Sequence, residues 1–157
     1  IDDLMLSLSD IAELPDAVAD EMLEAEAQIV AEATREEAAK LGMYEGYETH
    51  NNERHTSLTN QLPGQVRSYS TGELAKSVKV GKMKIVKGVR QKSIYFAGSR
   101  KRGKTVTRNA EIAFLNEFGT RTINQRNFVF MANQKAGERA EKAAEKIYDK
   151  FLRSKGL

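Results

Sequence analysis

Cysteine is absent from this 157-residue chain, so disulfides and thiolate metal sites are excluded. Tryptophan is absent as well. No apolar run is long enough to span a bilayer. The N-terminus is acidic, with Asp2 and Asp3, where a secretory leader would be basic. The first residue is Ile rather than Met, which reads as a trimmed start. What is present, 40% hydrophobic and 30% charged residues, suits one soluble domain with a modest core.

Charge of one sign is missing region by region. Residues 10–48 are dominated by carboxylates, from Asp10, Glu13 and Asp16 through Glu24, Glu37 and Glu48, against only Arg35 and Lys40. Residues 67–108 invert this: lysines and arginines from Arg67 to Arg108 face only Glu73. The net charge of +3 hides the division. Two arrangements satisfy it. Acidic helix and basic sheet can neutralise each other, within one fold or between copies, or the polarity can steer a partner or nucleic acid.

Catalytic signatures are wanting. Gly98-Ser99-Arg100-Lys101-Arg102-Gly103-Lys104-Thr105 matches the phosphate-cradling pattern G-x-x-x-x-G-K-[ST]. That chemistry needs a helix starting at Gly-Lys-Thr, whose amides hold the phosphates. Val106-Thr107-Arg108-Asn109 favours a strand or loop there instead. His50 and His55 are five apart, not the four of a helical metal pair, and lack a third ligand. No nucleophile elbow occurs. No cofactor is expected, and the chain does not read as an enzyme. The basic block also lacks the stacking aromatics of an RNA-reading sheet, since Tyr95 and Phe96 are adjacent and face opposite ways.

Hydropathy spacing supplies the fold. Ser9–Leu41 reads as a long helix, with Pro15 in its first turn, Val18, Met22, Ala25, Ile29 and Ala33 on one thin face, and Gly42 as its stop. Residues 43–69 are polar and turn-rich, as in a mobile loop or arm. Thr71–Ser77 reads as a short helix or turn. From Ser77 to Gly98 apolar residues alternate with lysines, predicting two or three antiparallel strands with a wet, basic face. Gly98–Arg108 reads as a basic loop with a short strand at Thr105–Thr107. Asn109 is positioned to cap a short helix through Phe118, and Gly119 to end it. Phe128 and Phe130 alternate as in an extended segment before a last helix at Ala132–Leu152. The sum is an α+β domain over 1–157: a long N-terminal helix, a small antiparallel sheet of two to four strands, and a short helix and C-terminal helix packed on one sheet face.

Two elements carry a resemblance. Asn116-Glu117-Phe118-Gly119-Thr120, a polar gap, then Phe128 and Ala132 is one; Thr71-Gly72-Glu73-Leu74-Ala75-Lys76-Ser77-Val78 is the other. In order and spacing they resemble the tail-completion, or neck, proteins of long-tailed phages. That family's pattern is an aromatic helix ending in Glu-Phe-Gly-Thr, a proline-rich crossing, then Pro-Phe-Leu before the last helix, with Thr-Gly-x-Leu-x-x-Ser-Ile opening the sheet. Here the crossing is Ile123-Asn124-Gln125-Arg126-Asn127, without proline.

The resemblance implies a structural virion protein, made in the host cytoplasm, that completes the head-proximal end of the tail and joins it to the head as a ring of identical subunits, hexamer-like in closure. Its partners would be itself, a tail-tube or tail-terminator protein, and the head-side connector, with no membrane involved. Phe118, Gly119, Phe128 and Phe130 would fix the docking geometry, with Glu117 and Thr120 as polar partners. The aromatics can equally fill the core of one subunit. DNA would traverse such a ring, making Lys79, Lys82, Lys84, Arg100, Lys101 and Arg102 candidate DNA-facing residues in weak phosphate contact. The alternative function is a basic, sequence-independent nucleic-acid-binding module.

Overall fold

The computed structural model describes residues 14–41, 72–102, 104–121 and 125–156. The arm expected at 43–69, the histidines within it and the helix start expected at Ser9 lie outside the described residues.

Helix α1 spans Asp16–Lys40, with Pro15 at its N-cap. A short helix α2, Glu73–Ser77, runs directly into strand β1, Val78–Val80. Five further strands follow: β2 Lys84–Val86, β3 Val89–Gln91, β4 Ile94–Phe96, β5 Ser99–Arg102 and β6 Thr105–Arg108. Helix α3 is Asn109–Phe118 and helix α4 is Phe128–Ser154. The mixed α+β class follows the hydropathy pattern.

The strands are shorter and more numerous than the alternation suggests, and they form three two-stranded antiparallel ladders. Val78 pairs with Phe96 and Val80 with Ile94; Lys84 pairs with Gln91 and Val86 with Val89. These two ladders are successive parts of one long hairpin, bridged where the Gly81 N–H donates to the Ser93 carbonyl at 2.7 Å. Its tip is a two-residue turn, Lys87-Gly88, with both φ positive (51° and 79°), the sign that matches right-handed strand twist. The expected basic loop is a second hairpin, β5–β6, in which Arg102 pairs with Thr105. Thr105 thus opens a strand, and no helix begins at Lys104-Thr105, so the phosphate-loop pattern lacks the amide cradle it requires.

Helices α1 and α4 pack antiparallel. Ala38 and Leu41 share a cluster with Phe128, while Ala33 packs with Ala132 and Ala136. The seam is built of small side chains: Ala27, Ala31, Thr34 and Ala38 on α1, and Ala132, Ala136, Ala140 and Ala144 on α4, all buried. Methyl-sized ridges let the helix axes come close, so dispersion between backbones replaces the contact large side chains would supply. Glu37, buried in α1, crosses the seam to Lys135 at 2.5 Å and reaches Lys40 at 2.6 Å. These hydrogen bonds, Lys135's first, hold its carboxyl below the ordinary glutamate range.

The opposite charges of the chain meet inside the subunit. Arg90 on the hairpin pairs with Asp16 and, at 2.6 Å, with Asp20. Lys92 pairs with Glu24, and the Arg35 guanidinium donates to the Val78 carbonyl at 3.3 Å. The hairpin therefore lies along α1, its tip toward the helix start. Hydrogen bonding to Asp16, more than to Asp20, raises the Arg90 pKa further above its ordinary value.

Candidate functional site

The strongest candidate is the junction where α3 ends and α4 begins. Its framework starts in the core. Phe128 is 2% exposed and meets Phe96 edge-on, with ring centroids 5.9 Å apart. Around it lie Leu74, Ala113, Ala38 and Leu41. Leu74 and Phe128, one from each of the two quoted elements, thus meet in one hydrophobic cluster. Phe128 fills the subunit's own core and presents no docking surface. It also stands, with Phe130, in the first turn of α4 rather than in an extended segment. Helical phasing sends residue 128 inward and residue 130 outward, whereas in a strand residues two apart would share one face.

Hydrogen bonds fix the two described ends of the connection preceding this helix. Gly119 ends α3 with φ 74° and ψ −179°, its N–H donating to the Leu115 carbonyl at 3.0 Å. The chain then returns beside α3: the Arg126 N–H donates to the Asn116 carbonyl at 2.9 Å, and the Asn127 N–H to that of Glu117 at 3.3 Å. Asn127 is left-handed (φ 50°) and its side chain makes no cap; its Oδ1 accepts from Gln125 instead. The cap comes from α3. The Glu117 carboxylate accepts the Val129 N–H at 2.8 Å and the Phe130 N–H at 3.1 Å. One anion so satisfies two of the first amides of α4 and sits at the positive end of its dipole, an arrangement that contributes about 1–2 kcal/mol. Glu117 is a clamp within the subunit, a role its position in Glu-Phe-Gly does not announce.

With the backbone clamped, apolar side chains remain outside. Phe118 is 61% exposed and packs against Phe114 with the rings tilted 49°, centroids 4.8 Å apart. Phe130 is 56% exposed, and Met131 beside it is exposed too. Sequence places Phe114 on an apolar flank of this helix with Ile112, Leu115 and Phe118 but does not assign it or Met131 to the docking surface; Phe114 lies one helical turn from Phe118, and that i, i+4 spacing is the signal that finds it. Thr120 is exposed just past the glycine. Solvated aromatics on an over-determined backbone suit recognition of an apolar surface and offer no group for chemistry.

The candidate DNA-facing cations are spread over the two hairpins, and Lys79 and Arg100 line one depression. Lys79, Lys82 and Lys84 are exposed along the long hairpin, while Lys101 is exposed on β5 and Arg102 ends that strand. Arg100 is held inward: its Nε donates to Asn109 Oδ1 at 3.0 Å and lies 3.3 Å from Glu73. Asn109 is the first residue of α3 rather than its cap, and its amide donates back to the Ala97 carbonyl at 2.7 Å. An open depression of about 320 Å³ lies here, between Glu73, Lys76, Lys79 and Arg100. Among the described residues no group of three His, Asp or Glu side chains could hold a metal ion, and no helix is long and apolar enough to cross a membrane.

No family model, curated protein or solved structure matches this chain.

Proposed function

We propose that this chain is a structural virion protein of a long-tailed phage or prophage, made in the host cytoplasm. In this reading it completes the head-proximal end of the tail and joins tail to head as a ring of identical subunits. Its neighbours would be the tail tube or tail terminator on one side and the head-side connector on the other. The observation that carries the reading is the exposed Phe114–Phe118 pair beside the Glu117 clamp. A virion part must present a fixed surface to repeated neighbours, and here hydrogen bonds hold the backbone beside the exposed aromatics. The two resembling elements, which bracket the same core, add to it.

The test is electron microscopy of purified tails lacking this protein, with and without added protein. Ring density at the head-proximal end, followed by competence to join heads, is the expected result. Phe118→Ser should weaken that association about 10–100-fold, the loss expected for one buried aromatic anchor, while leaving the melting curve unchanged because the ring is solvated in the free subunit. Tails that form and join heads normally without the protein would overturn the reading. Tight, steeply salt-dependent DNA binding by the isolated subunit, with no tail association, would favour the basic nucleic-acid-binding module instead.

A further inference from the structure

The long hairpin carries two aromatics, and they part company. Phe96 turns into the core against Phe128. Its neighbour Tyr95 therefore takes the other face of β4, where it is 48% exposed. Lys79 is its cross-strand partner, so the two side chains share that face with Cβ atoms about 5 Å apart. The Tyr95 ring makes no hydrogen bond and no ring contact among the described residues. Gly81 lies beside it: a Cβ at that position would stand 3.7 Å from the ring, and glycine leaves this flank uncovered.

The same face runs into the open depression beside β5. Lys79 lines it, as does Ala97, two residues on from Tyr95, together with Lys76 from α2 and Arg100 from β5. Lys76 and Lys79 are exposed and pair with no carboxylate among the described residues. Arg100 is held in place through its Nε by Asn109 and Glu73, and Glu73 is the one carboxylate of the lining. Three cations thus face one anion, next to an open aromatic ring.

We propose that this face binds single-stranded nucleic acid, one nucleotide per site. A backbone phosphate sits in the depression against Lys76, Lys79 and Arg100, and the attached base stacks on Tyr95. Every base has a π-face and every nucleotide a charge, so such contact is independent of sequence. A duplex satisfies only the cationic half, because its bases stack on one another and do not reach the ring. The site is independent of the ring reading, since it uses neither the α3–α4 junction nor contact between copies.

The test is fluorescence anisotropy of labelled oligothymidylate and oligouridylate with the full chain, repeated with a duplex of equal length over a range of salt. Single strands should bind more tightly than the duplex. Tyr95→Ala should weaken them about tenfold, Tyr95→Phe should stay near the parent, and neither should change duplex binding. Circular dichroism checks that both variants fold. Lys76→Gln with Lys79→Gln should weaken single strands and lower the slope of log affinity against log salt by about 1.4, roughly 0.7 for each lost phosphate contact. Binding of one sugar type alone would keep the site and assign its source. Equal affinity for the duplex, indifference to Tyr95→Ala, or no binding at low salt would overturn the proposal. If rings form on tails while oligonucleotides do not bind, the tail reading stands and this site falls; if oligonucleotides bind and no rings form, the reverse holds.

Discussion

Gly119 does what no other residue can do at that position. Its φ of 74° alone would admit asparagine, which tolerates the left-handed helical region. Its ψ of −179° removes that option, because positive φ with extended ψ is essentially glycine territory. Gly119→Ala should therefore destabilise the fold by about 1–3 kcal/mol, and Gly119→Asn should rescue none of it. Thermal melts of both variants check this; an asparagine variant as stable as the parent would show that an ordinary left-handed turn suffices. The same region explains why a glutamate precedes the glycine by two. Once Gly119 turns the chain, α4 begins beside the end of α3, and only a carboxylate on the last turn of α3 can reach the Val129 and Phe130 amides. Asn127, the residue that sequence convention would choose as cap, is occupied with Gln125.

Between elements, the α1–α4 seam combines a near-featureless alanine contact with one buried charge. The seam gives close approach, yet alanines at four-residue intervals define register weakly, since a shift of one turn sets methyl against methyl again. Glu37 with Lys135 and Lys40 supplies the missing registration. Because its folded-state pKa lies below the ordinary value, the folded protein binds fewer protons at this site than the unfolded chain. Its stabilisation is full above about pH 4.3, the unfolded value, and is lost as pH falls through the lowered folded value. Both lysines are half exposed, so the expected size is about 1–2 kcal/mol, toward the low end for hydrogen bonds to ions. Urea melts between pH 7 and 3 should show that loss in the parent and a smaller one in Glu37→Gln; identical profiles would assign acid unfolding to other groups. The helices themselves were legible from the spacing of Val18, Met22, Ala25, Ile29 and Ala33 and from the stop at Gly119. Of the β5–β6 hairpin only the strand at Thr105–Thr107 was legible, because Arg100-Lys101-Arg102 carries no apolar alternation and strand formation there depends on pairing with Thr105–Arg108. The inward turn of Phe128 was hidden for a related reason: its partner Phe96 lies thirty-two residues away, on β4.

Across the whole molecule, the division of charge decides where the hairpin points. Its base is fixed by Val78 in the core and by the Arg35 bond to the Val78 carbonyl. Its tip has no comparable apolar anchorage, since Ile85, Val86 and Val89 are all exposed. Past Ser93 the ion pairs of Lys92 with Glu24 and of Arg90 with Asp16 and Asp20 hold it along α1. The partners are partly solvated, so each pair adds little to global stability while setting the direction of an element that has few other contacts. Local order and global stability should then separate. In Arg90→Ala, amide exchange across Lys84–Gln91 should accelerate roughly five- to tenfold, with protection at Ala132–Ala144 and the midpoint of denaturation nearly unchanged. High salt should reproduce the hairpin effect in the parent, because exposed ion pairs are screened at short Debye length. Should exchange rise equally in the hairpin and in α4, the tip would be part of the cooperative core, and the arginine would be a stability residue instead of a pointer.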